Sequence, residues 1–328
     1  MSPLKCQVVD SAYSNPNTPK GYPPTILIFQ APTLSLALFA AMRVHSPAKI
    51  NLVLEVARKR PDGFHELETL FHSAPIFDTL EFQPGSQGIS LRCSDPKIPN
   101  NRDNLVYRAA EKFFNAAQIE PAIEISLEKH IPSQAGLGGG SGNAAITLSA
   151  LNQLNGQPLR RETLTQLASE LGSDVPFFLE NAPALATGRG ENLQILDPFP
   201  NFKNLWFLIA KLEFGVPTGW AYQSLRQFPE TMGSHPGLAQ EVADQLAKGQ
   251  WPGPETFFNS FEAPVFHKFP ILRTIKSSLL ENNARAAALS GSGSAMYGLF
   301  ENESGAKTAE SDLKRLCGPN IWTAVNQA

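Results

Sequence analysis

Residues 132–145 read PSQAGLGGGSGNAA, and this glycine-rich segment is the most informative part of the sequence. Four of the five positions from Gly138 to Gly142 are glycine. Glycine lets a backbone pass close to a ligand and turn its N–H groups toward it. The small residues that follow predict a helix, whose N-terminus carries a partial positive charge. A loop of this kind in front of a helix indicates a phosphate site.

The segment matches neither of the two common phosphate-binding motifs. No Lys-Ser or Lys-Thr follows the glycines, so it is not a Walker A loop, and Asn143 stands where G-x-G-x-x-G would end in glycine. A flexible hairpin or a tight helix entry explains a glycine run equally well. The predicted strand before it, the helix after it, and Ser141 and Asn143 within it favour a site for phosphate or metal.

The segments around this loop predict alternating strands and helices. Apolar residues from Ile50 to Val56 alternate with Lys49, Asn51, Val53 and Glu55, which predicts a strand with Lys49 and Asn51 on one face. Further strands are predicted at 123–127, 205–212, 286–289 and 295–300, and helices at 104–115, 143–154, 164–171, 236–248 and 272–282. A second glycine-rich turn lies at 290–294. Because no regular βαβ alternation is present, the pattern favours an α+β fold.

The composition is that of a globular protein. The 328 residues are 42% hydrophobic and 17% charged, with a net charge of −3. The negative charge argues against a protein held on nucleic acid by bulk charge. Cys6, Cys93 and Cys317 form no C-x-x-C pair, so neither a disulfide framework nor a zinc site is expected, and a reducing compartment is favoured.

The first 41 residues differ from the rest. They contain Lys5, Lys20 and a single acid, Asp10, and their apolar run from Thr25 to Val44 is interrupted by polar residues and proline. That run is marginal for a membrane span. We interpret residues 1–41 as an extension that is either disordered or outside the native protein, with translation starting at Met42. A transit peptide is the alternative. We accordingly expect the protein to be cytoplasmic, or to lie in the plastid stroma if the extension is a transit peptide.

Three segments together identify a resemblance to a known family. They are SPAKINL at 46–52, the loop at 132–145, and LSGSGSA at 289–295. In this order and spacing they resemble the GHMP small-molecule kinases. RPDGFHEL at 60–67 and LGSDVPFF at 171–178 make the chain most similar to those members that phosphorylate a cytidine-diphosphate-linked methylerythritol. The loop departs slightly, since Gly142 replaces a second serine.

The resemblance implies a two-domain α+β fold. Its N-terminal domain, predicted at 42–200, would be like ribosomal protein S5 domain 2, and its C-terminal domain, predicted at 201–328, would be ferredoxin-like. The implied reaction is ATP-dependent phosphorylation of the substrate's 2-hydroxyl in the non-mevalonate isoprenoid pathway, with ATP and substrate in the cleft between the domains. Mg²⁺ would neutralise the triphosphate. The implied partners are small molecules only, without nucleic acid or membrane, and the protein would be a monomer or weak homodimer.

The resemblance also implies roles for individual residues. Asp174 would take the proton from the attacking hydroxyl, and Lys49 would offset the developing negative charge. Ser141 is the candidate metal ligand. The implied ATP-binding residues are Asn104, Leu105, Lys129, Pro132, Ala135, Gly136, Leu137, Gly138, Gly139, Gly140, Ser141, Gly142 and Asn143.

The substrate would be bound mainly by aromatic and polar side chains. Phe64 and Tyr222 would stack on the cytosine, and His65 would hydrogen-bond its polar edge. Asn51 would contact the polyol end of the substrate. The remaining implied substrate-binding residues are Asp174, Thr218, Ser290, Gly291, Ser292 and Gly293.

Simpler interpretations exist for each residue taken singly. Lys49 could be a strand-end lysine, Asp174 a helix cap, and Phe64 and Tyr222 core residues. For the whole chain, the alternatives are another GHMP kinase, such as a homoserine or phosphomevalonate kinase, and a non-catalytic sensor of ATP and a metabolite. The segment at 62–65 favours a nucleobase over a small acid, and the presence of both Lys49 and Asp174 speaks against a sensor.

Overall fold

The structure is a computed structural model that describes residues 27–28, 41–61 and 63–328. The predicted extension at 1–41 therefore lies outside the described residues, apart from Leu27, Ile28 and Ala41. Asp62 lies outside them as well. Across the described part of the chain, no helix is both long enough and apolar enough to cross a membrane.

The chain forms two compact units, and it passes between them more than once. The first unit contains residues up to Ser46, Phe77–His130 and Gly140–Leu179. The second contains Pro47–Ile76, Ile131–Gly139 and Glu180–Ala328. The predicted domain division at residue 200 stays a prediction.

Strands and helices are mixed along the chain, so the predicted α+β class is confirmed. The strands are β1 (Leu27–Ile28), β2 (Met42–Lys59), β3 (His65–Pro84), β4 (Gly88–Cys93), β5 (Ala122–Glu128), β6 (Ala184–Gly188), β7 (Asn192–Ile195), β8 (Trp206–Lys211), β9 (Ala286–Leu289), β10 (Met296–Phe300) and β11 (Trp322–Gln327). The helices are α1 (Leu105–Ala117), α2 (Gly139–Leu154), α3 (Arg161–Leu171), α4 (Val175–Glu180), α5 (Thr218–Ser224), α6 (Leu238–Ala247), α7 (Glu262–Lys268), α8 (Pro270–Glu281) and α9 (Glu303–Cys317).

Strand β2 is buried on both of its faces. The alternation predicted one apolar face with Lys49 and Asn51 on the other face, and in the structure Lys49, Asn51 and Glu55 are as buried as the leucines between them. These polar side chains tolerate burial because each is hydrogen-bonded. Glu55, for example, accepts hydrogen bonds from the N–H groups of Gly233 and His235 at 2.8 and 3.0 Å.

The first unit packs helices against the outer part of a sheet. The end of β3 pairs with β5 in antiparallel fashion from Thr79 to Pro84, and β4 runs parallel to β5. Helix α1 begins after Asn104, whose side-chain oxygen accepts a hydrogen bond from the N–H of Val106 at 2.9 Å. Such a cap satisfies an N–H group that has no partner within the helix.

The second unit is built on an antiparallel sheet in the order β11-β8-β10-β9. Alternate residues of β8 enter two separate apolar clusters: Phe207 and Ile209 join one, and Leu208 and Ala210 join the other. The period of two along the strand explains this, since successive side chains point to opposite faces. The turn from β9 to β10 is the second glycine-rich segment.

Candidate active site

Lys49 lies at the centre of a buried polar network in the second unit. Its ammonium group donates a hydrogen bond to Asn51 Oδ1 at 2.7 Å. The Asn51 amide in turn donates to Thr69 Oγ1 at 2.8 Å, and the Thr69 hydroxyl donates to the carbonyl of Val53 at 2.6 Å. Strand geometry explains this placement, because residues 49 and 51 share a face of β2.

The second glycine-rich turn closes on the same asparagine. The N–H of Gly291 donates to Asn51 Oδ1 at 2.9 Å. This oxygen therefore accepts from the Lys49 ammonium and from a backbone amide at once, which uses both of its lone pairs. A Cβ atom on Gly291 would lie 3.0 Å from the carbonyl oxygen of Gly136 and 3.3 Å from Lys49 Nζ, and the φ of +54° favours glycine.

The same turn also holds residues 135–137 of the first glycine-rich segment. Ser290 Oγ donates to the carbonyl of Gly136 at 3.0 Å, and the N–H of Ala295 donates to the carbonyl of Ala135 at 3.0 Å. The N–H of Lys49 donates to the carbonyl of Leu137 at 2.9 Å. A Cβ on Gly136 would come within 1.9 Å of the Ser290 carbonyl oxygen. Only glycine fits at this position.

Asn259 fixes the turn from the other side, and no pattern in the sequence pointed to it. Its buried amide donates to the carbonyls of Leu289 and Gly291 at 2.7 and 2.8 Å. Its oxygen accepts from the N–H of Phe261 at 2.9 Å. All three bonds join it to the backbone, so Asn259 sets the course of the chain rather than offering a group to a ligand.

Helix α2 begins earlier than the sequence predicted, at Gly139 rather than after Gly142. Gly136 and Gly138 have φ values of +79° and +68°, which end the loop before the first helical turn. Residues 139–142 thus form that first turn, where four N–H groups have no partner within the helix. Glycines there leave the N–H groups open to a phosphate.

Two of the predicted ATP-binding residues meet at a buried carboxylate in the first unit. Asp78 pairs with the ammonium of Lys129 and accepts from the Asn143 amide at 2.9 Å and from the N–H of His130 at 2.7 Å. Asn143 Oδ1 is buried without a hydrogen-bond partner. The sequence missed Asp78, whose only local signal is an acid within an apolar strand.

Asn104, Leu105 and Asp174 also belong to the first unit. Asn104 uses its side chain to cap α1 and to donate to the carbonyl of Pro99 at 2.8 Å. Leu105 lies close to the glycine helix, since a Cβ on Gly140 would lie 3.6 Å from its side chain. Asp174 is half-buried and directly precedes α4.

The aromatic residues predicted for the nucleobase form two contacts in the second unit. The rings of His65 and Tyr222 stack, with centroids 5.2 Å apart and planes 21° from parallel. Phe64 is 53% exposed, and the Arg189 guanidinium lies 4.9 Å from its ring centroid. Thr218 Oγ1 and Ser292 Oγ lie 3.1 Å apart, which links α5 to the glycine-rich turn.

The pKa of His65 is lowered from its ordinary value. Burial is the main cause, and the charges of Lys59 and Arg226 add to it. Each disfavours the imidazolium form. The ring is therefore neutral near pH 7, with one nitrogen that donates and one that accepts.

The matches to known proteins cover both units. Residues 104–181 match the model described as GHMP kinases N terminal domain, and residues 235–318 match that described as GHMP kinases C terminal. A protein of Syntrophus aciditrophicus, named 4-diphosphocytidyl-2-C-methyl-D-erythritol kinase, is 38% identical over 291 residues, which are 86% of this chain and 96% of that protein. This chain belongs to the GHMP kinase family.

Two solved structures match the fold of this chain. A crystal structure of a 4-(cytidine 5'-diphospho)-2C-methyl-D-erythritol kinase matches with a TM-score of 0.73 and 35% identity, over 88% of this chain and all of that one (100%). A homoserine kinase from Cytophaga hutchinsonii matches with a TM-score of 0.68 and 18% identity, over 90% of this chain and 96% of that one. The second match shows the fold alone.

The structure of this GHMP kinase thus joins several of the predicted residues. Within the second unit it brings together Lys49, Asn51, Ala135, Gly136, Leu137, Ser290 and Gly291. Within the first unit it joins Lys129 to Asn143 through Asp78. Thr69, Asp78 and Asn259 are additions that the sequence analysis missed, because their partners are far away along the chain.

Proposed function

We propose that this chain transfers the terminal phosphoryl group of ATP to the 2-hydroxyl of 4-diphosphocytidyl-2-C-methyl-D-erythritol. The observation that carries the proposal is the 38% identity over 96% of a relative named for this substrate. The buried network around Lys49 supports it, because a fixed ammonium group is what phosphoryl transfer to a hydroxyl uses.

In the proposed reaction, Asp174 accepts the proton of the attacking hydroxyl. The hydroxyl oxygen forms a bond to the γ-phosphorus while the bond from that phosphorus to the β,γ-bridging oxygen breaks, and ADP leaves. Lys49 stabilises the negative charge on the oxygens during the transfer. Both residues act by position and charge, which is sufficient for a transition state with little covalent chemistry for the protein to perform.

The nucleotide would be held mainly by backbone groups. The first turn of α2, residues 139–142, offers N–H groups to the triphosphate, and its dipole favours negative charge. Lys129 is charge-paired with Asp78, so we propose that it supports Asn143 and the helix as well as the phosphates. Leu105 lies beside this helix start, and it would border the adenosine together with Asn104, its neighbour in the sequence.

Mg²⁺ would enter with the nucleotide. Among the residues that the structure describes, no group of three or more His, Cys, Asp or Glu side chains is placed to hold a metal ion. Magnesium takes most of its ligands from phosphate oxygens and water and needs few from the protein. Ser141, in the first turn of α2, would offer its hydroxyl. When bound, the ion neutralises charge on the phosphates.

The cytosine would stack on Phe64. A base between two rings needs a separation of about 7 Å, since stacked carbon atoms lie about 3.5 Å apart. The His65–Tyr222 centroid distance of 5.2 Å leaves no room for one. This distance excludes a base only between those two rings, so we propose that Tyr222 as well as Phe64 stacks on the cytosine. The neutral ring of His65 would hydrogen-bond the polar edge of the base, and Asn51, Thr218 and the turn at 290–293 would border the remainder of the substrate.

The remaining features of the proposal are general ones. We propose a cytoplasmic enzyme that acts on small molecules, binds neither nucleic acid nor membrane, and functions as a monomer or weak homodimer. The expected dependence on Mg²⁺ is tested by adding a chelator to the assay, which should abolish turnover, and by restoring the ion.

An acceptor panel tests the proposed function. The full chain is incubated with ATP and Mg²⁺, and ADP release is compared for the cytidyl substrate, homoserine and phosphomevalonate. Turnover confined to the cytidyl substrate is expected. Asp174→Asn and Lys49→Met should each lower kcat by about 100-fold or more. The exposed-residue controls Asp244→Asn and Lys307→Met should leave it unchanged.

Two outcomes would contradict the proposal. Turnover with homoserine or phosphomevalonate alone would keep the kinase activity and overturn the substrate assignment. Folded protein that binds ATP but phosphorylates none of the three would favour a sensor.

A further inference from the structure

Thr69 lies on β3, outside the motifs that carry the family resemblance. Its hydroxyl is fully buried and makes two hydrogen bonds. It donates to the carbonyl of Val53 at 2.6 Å, and this leaves its lone pairs to accept from the Asn51 amide at 2.8 Å. Because its proton is committed to a carbonyl, the hydroxyl presents only an acceptor to Asn51.

This arrangement determines which way the Asn51 amide points. The NH₂ group must face the acceptor at Thr69, so Oδ1 faces the opposite way, toward Lys49 Nζ at 2.7 Å and the Gly291 N–H at 2.9 Å. The acceptor at Thr69 and the two donors, at Lys49 and Gly291, thus all require the same orientation of the Asn51 amide. The ammonium group is held by a neutral oxygen whose own position is fixed from β3.

We propose that Thr69 is a positioning residue for phosphoryl transfer, which acts through Asn51 on both the Lys49 ammonium and the Ser290–Ser294 turn. The inference rests on the proposed function for its kinetic part. Without the hydroxyl, Asn51 loses its anchor, and the Lys49 ammonium and the Gly291 amide lose a fixed acceptor. This loss raises the energy of the transition state more than it weakens the binding of ATP, because most of the proposed ATP contacts come from residues 139–142 at the start of α2.

Thr69→Val tests the proposal, since it keeps the shape of the side chain and removes the hydroxyl. We expect kcat to fall by roughly 10- to 100-fold, as small misplacements of catalytic groups do, with the KM for ATP within about twofold of wild type. Thr69→Ser restores the hydroxyl and should bring kcat back to within about threefold. Thr256→Val is the matched control, because the Thr256 hydroxyl also donates to a backbone carbonyl, that of Gly253 at 2.7 Å.

A second measurement needs no substrate. Hydrogen exchange of a peptide covering 289–295, measured by mass spectrometry, reports the Gly291 amide. It should be about 3- to 10-fold faster in Thr69→Val, which corresponds to one weakened hydrogen bond, and unchanged in Thr69→Ser and Thr256→Val. If Thr69→Val does not fold, Thr69→Cys replaces it, since a thiol is only a weak donor and acceptor.

The outcomes separate this inference from the proposed function. A wild-type chain that fails to phosphorylate the cytidyl substrate contradicts the function, while the exchange measurement still tests the link from Thr69 to the turn. The inference is overturned if kcat of Thr69→Val stays within twofold of the Thr256→Val value, if serine does not restore it, or if exchange of the turn is unchanged.

Discussion

The two glycine-rich segments have similar compositions and different surroundings. The first, from Gly136 to Gly142, runs into the start of α2, where backbone N–H groups have no partner within the helix. The second, from Ser290 to Ser294, is a turn whose polar groups are bonded to Asn51, Asn259, Gly136 and Phe214. The difference teaches that glycine content alone does not distinguish a ligand-binding loop from a turn that holds other backbone segments in place. The surrounding hydrogen bonds make that distinction, and we call the turn at 290–294 the clamp.

The contact between the two segments gives the largest expected effect. Gly136→Ala should lower the free energy of unfolding by about 4 kcal/mol and activity by about 100-fold, because its Cβ would meet the Ser290 carbonyl oxygen. Gly156→Ala is the control: its φ is also positive, but nothing lies within 4 Å. It should cost only about 1 to 2 kcal/mol. Equal losses of unfolding free energy in the two variants, measured by urea unfolding, would show that the contact between Gly136 and the clamp does not contribute to stability.

The second largest effect should come from the amide that anchors the clamp. Asn259→Asp places a carboxylate oxygen against the Leu289 and Gly291 carbonyls and should cost about 3 kcal/mol of stability. Asn302→Asp is the matched control, since Asn302 uses only its oxygen, which caps α9 by accepting from Gly305. Equal decreases in the melting temperature of the two variants would contradict the proposed role of Asn259 in holding the clamp.

Acidification should weaken the unit that contains the clamp. The pKa of His72 on β3 is lowered to about 4, mainly by burial. Below pH 6.5 the unfolded chain therefore binds a proton that the folded chain does not, and stability falls as the pH drops toward 4. The loss at pH 5 should be about 1 to 2 kcal/mol.

Urea unfolding at pH 7 and pH 5 measures this loss. His72→Gln should show a smaller difference between the two pH values than wild type, and the control His267→Gln should match wild type. A pH dependence that is the same in wild type and His72→Gln would show that His72 is not the source.

The smallest effect should come from the side chain of Ser141, because the backbone of the first turn of α2 does most of the proposed phosphate binding. Ser141→Ala should raise the Mg²⁺ concentration for half-maximal activity by about 3- to 10-fold, or about 1 kcal/mol. The KM for ATP at saturating Mg²⁺ should change by less than about twofold. An ATP KM raised more than about 30-fold would instead mean that this side chain, rather than the backbone, holds the phosphates.

The sequence predicted the elements with clear local patterns. The alternation in β2, the helix predicted at 104–115 and the second glycine-rich turn all appear in the structure near their predicted positions. Strand β3 was missed, because Pro75 and adjacent apolar residues at 70–71 and 76–77 obscure its alternation. The order of the motifs was enough to predict the family.

The supporting residues of the site could not be predicted in the same way. Thr69 contacts Asn51 across 18 positions of sequence, and Asn259 contacts Leu289 and Gly291 across 30 and 32. A single threonine or asparagine carries no local sign of such a partner. Only the pairing of strands and the course of the turn reveal what these side chains hold.

The central claim is that the γ-phosphoryl group moves to a hydroxyl of the cytidyl substrate, and ³¹P NMR of the reaction tests it most directly. ADP release alone does not distinguish transfer from hydrolysis of ATP. We predict a new phosphomonoester signal that grows with the ADP signals while the diphosphate of the substrate stays intact, and its loss in Asp174→Asn. Inorganic phosphate as the only new signal besides those of ADP, with the substrate unchanged, would contradict the account.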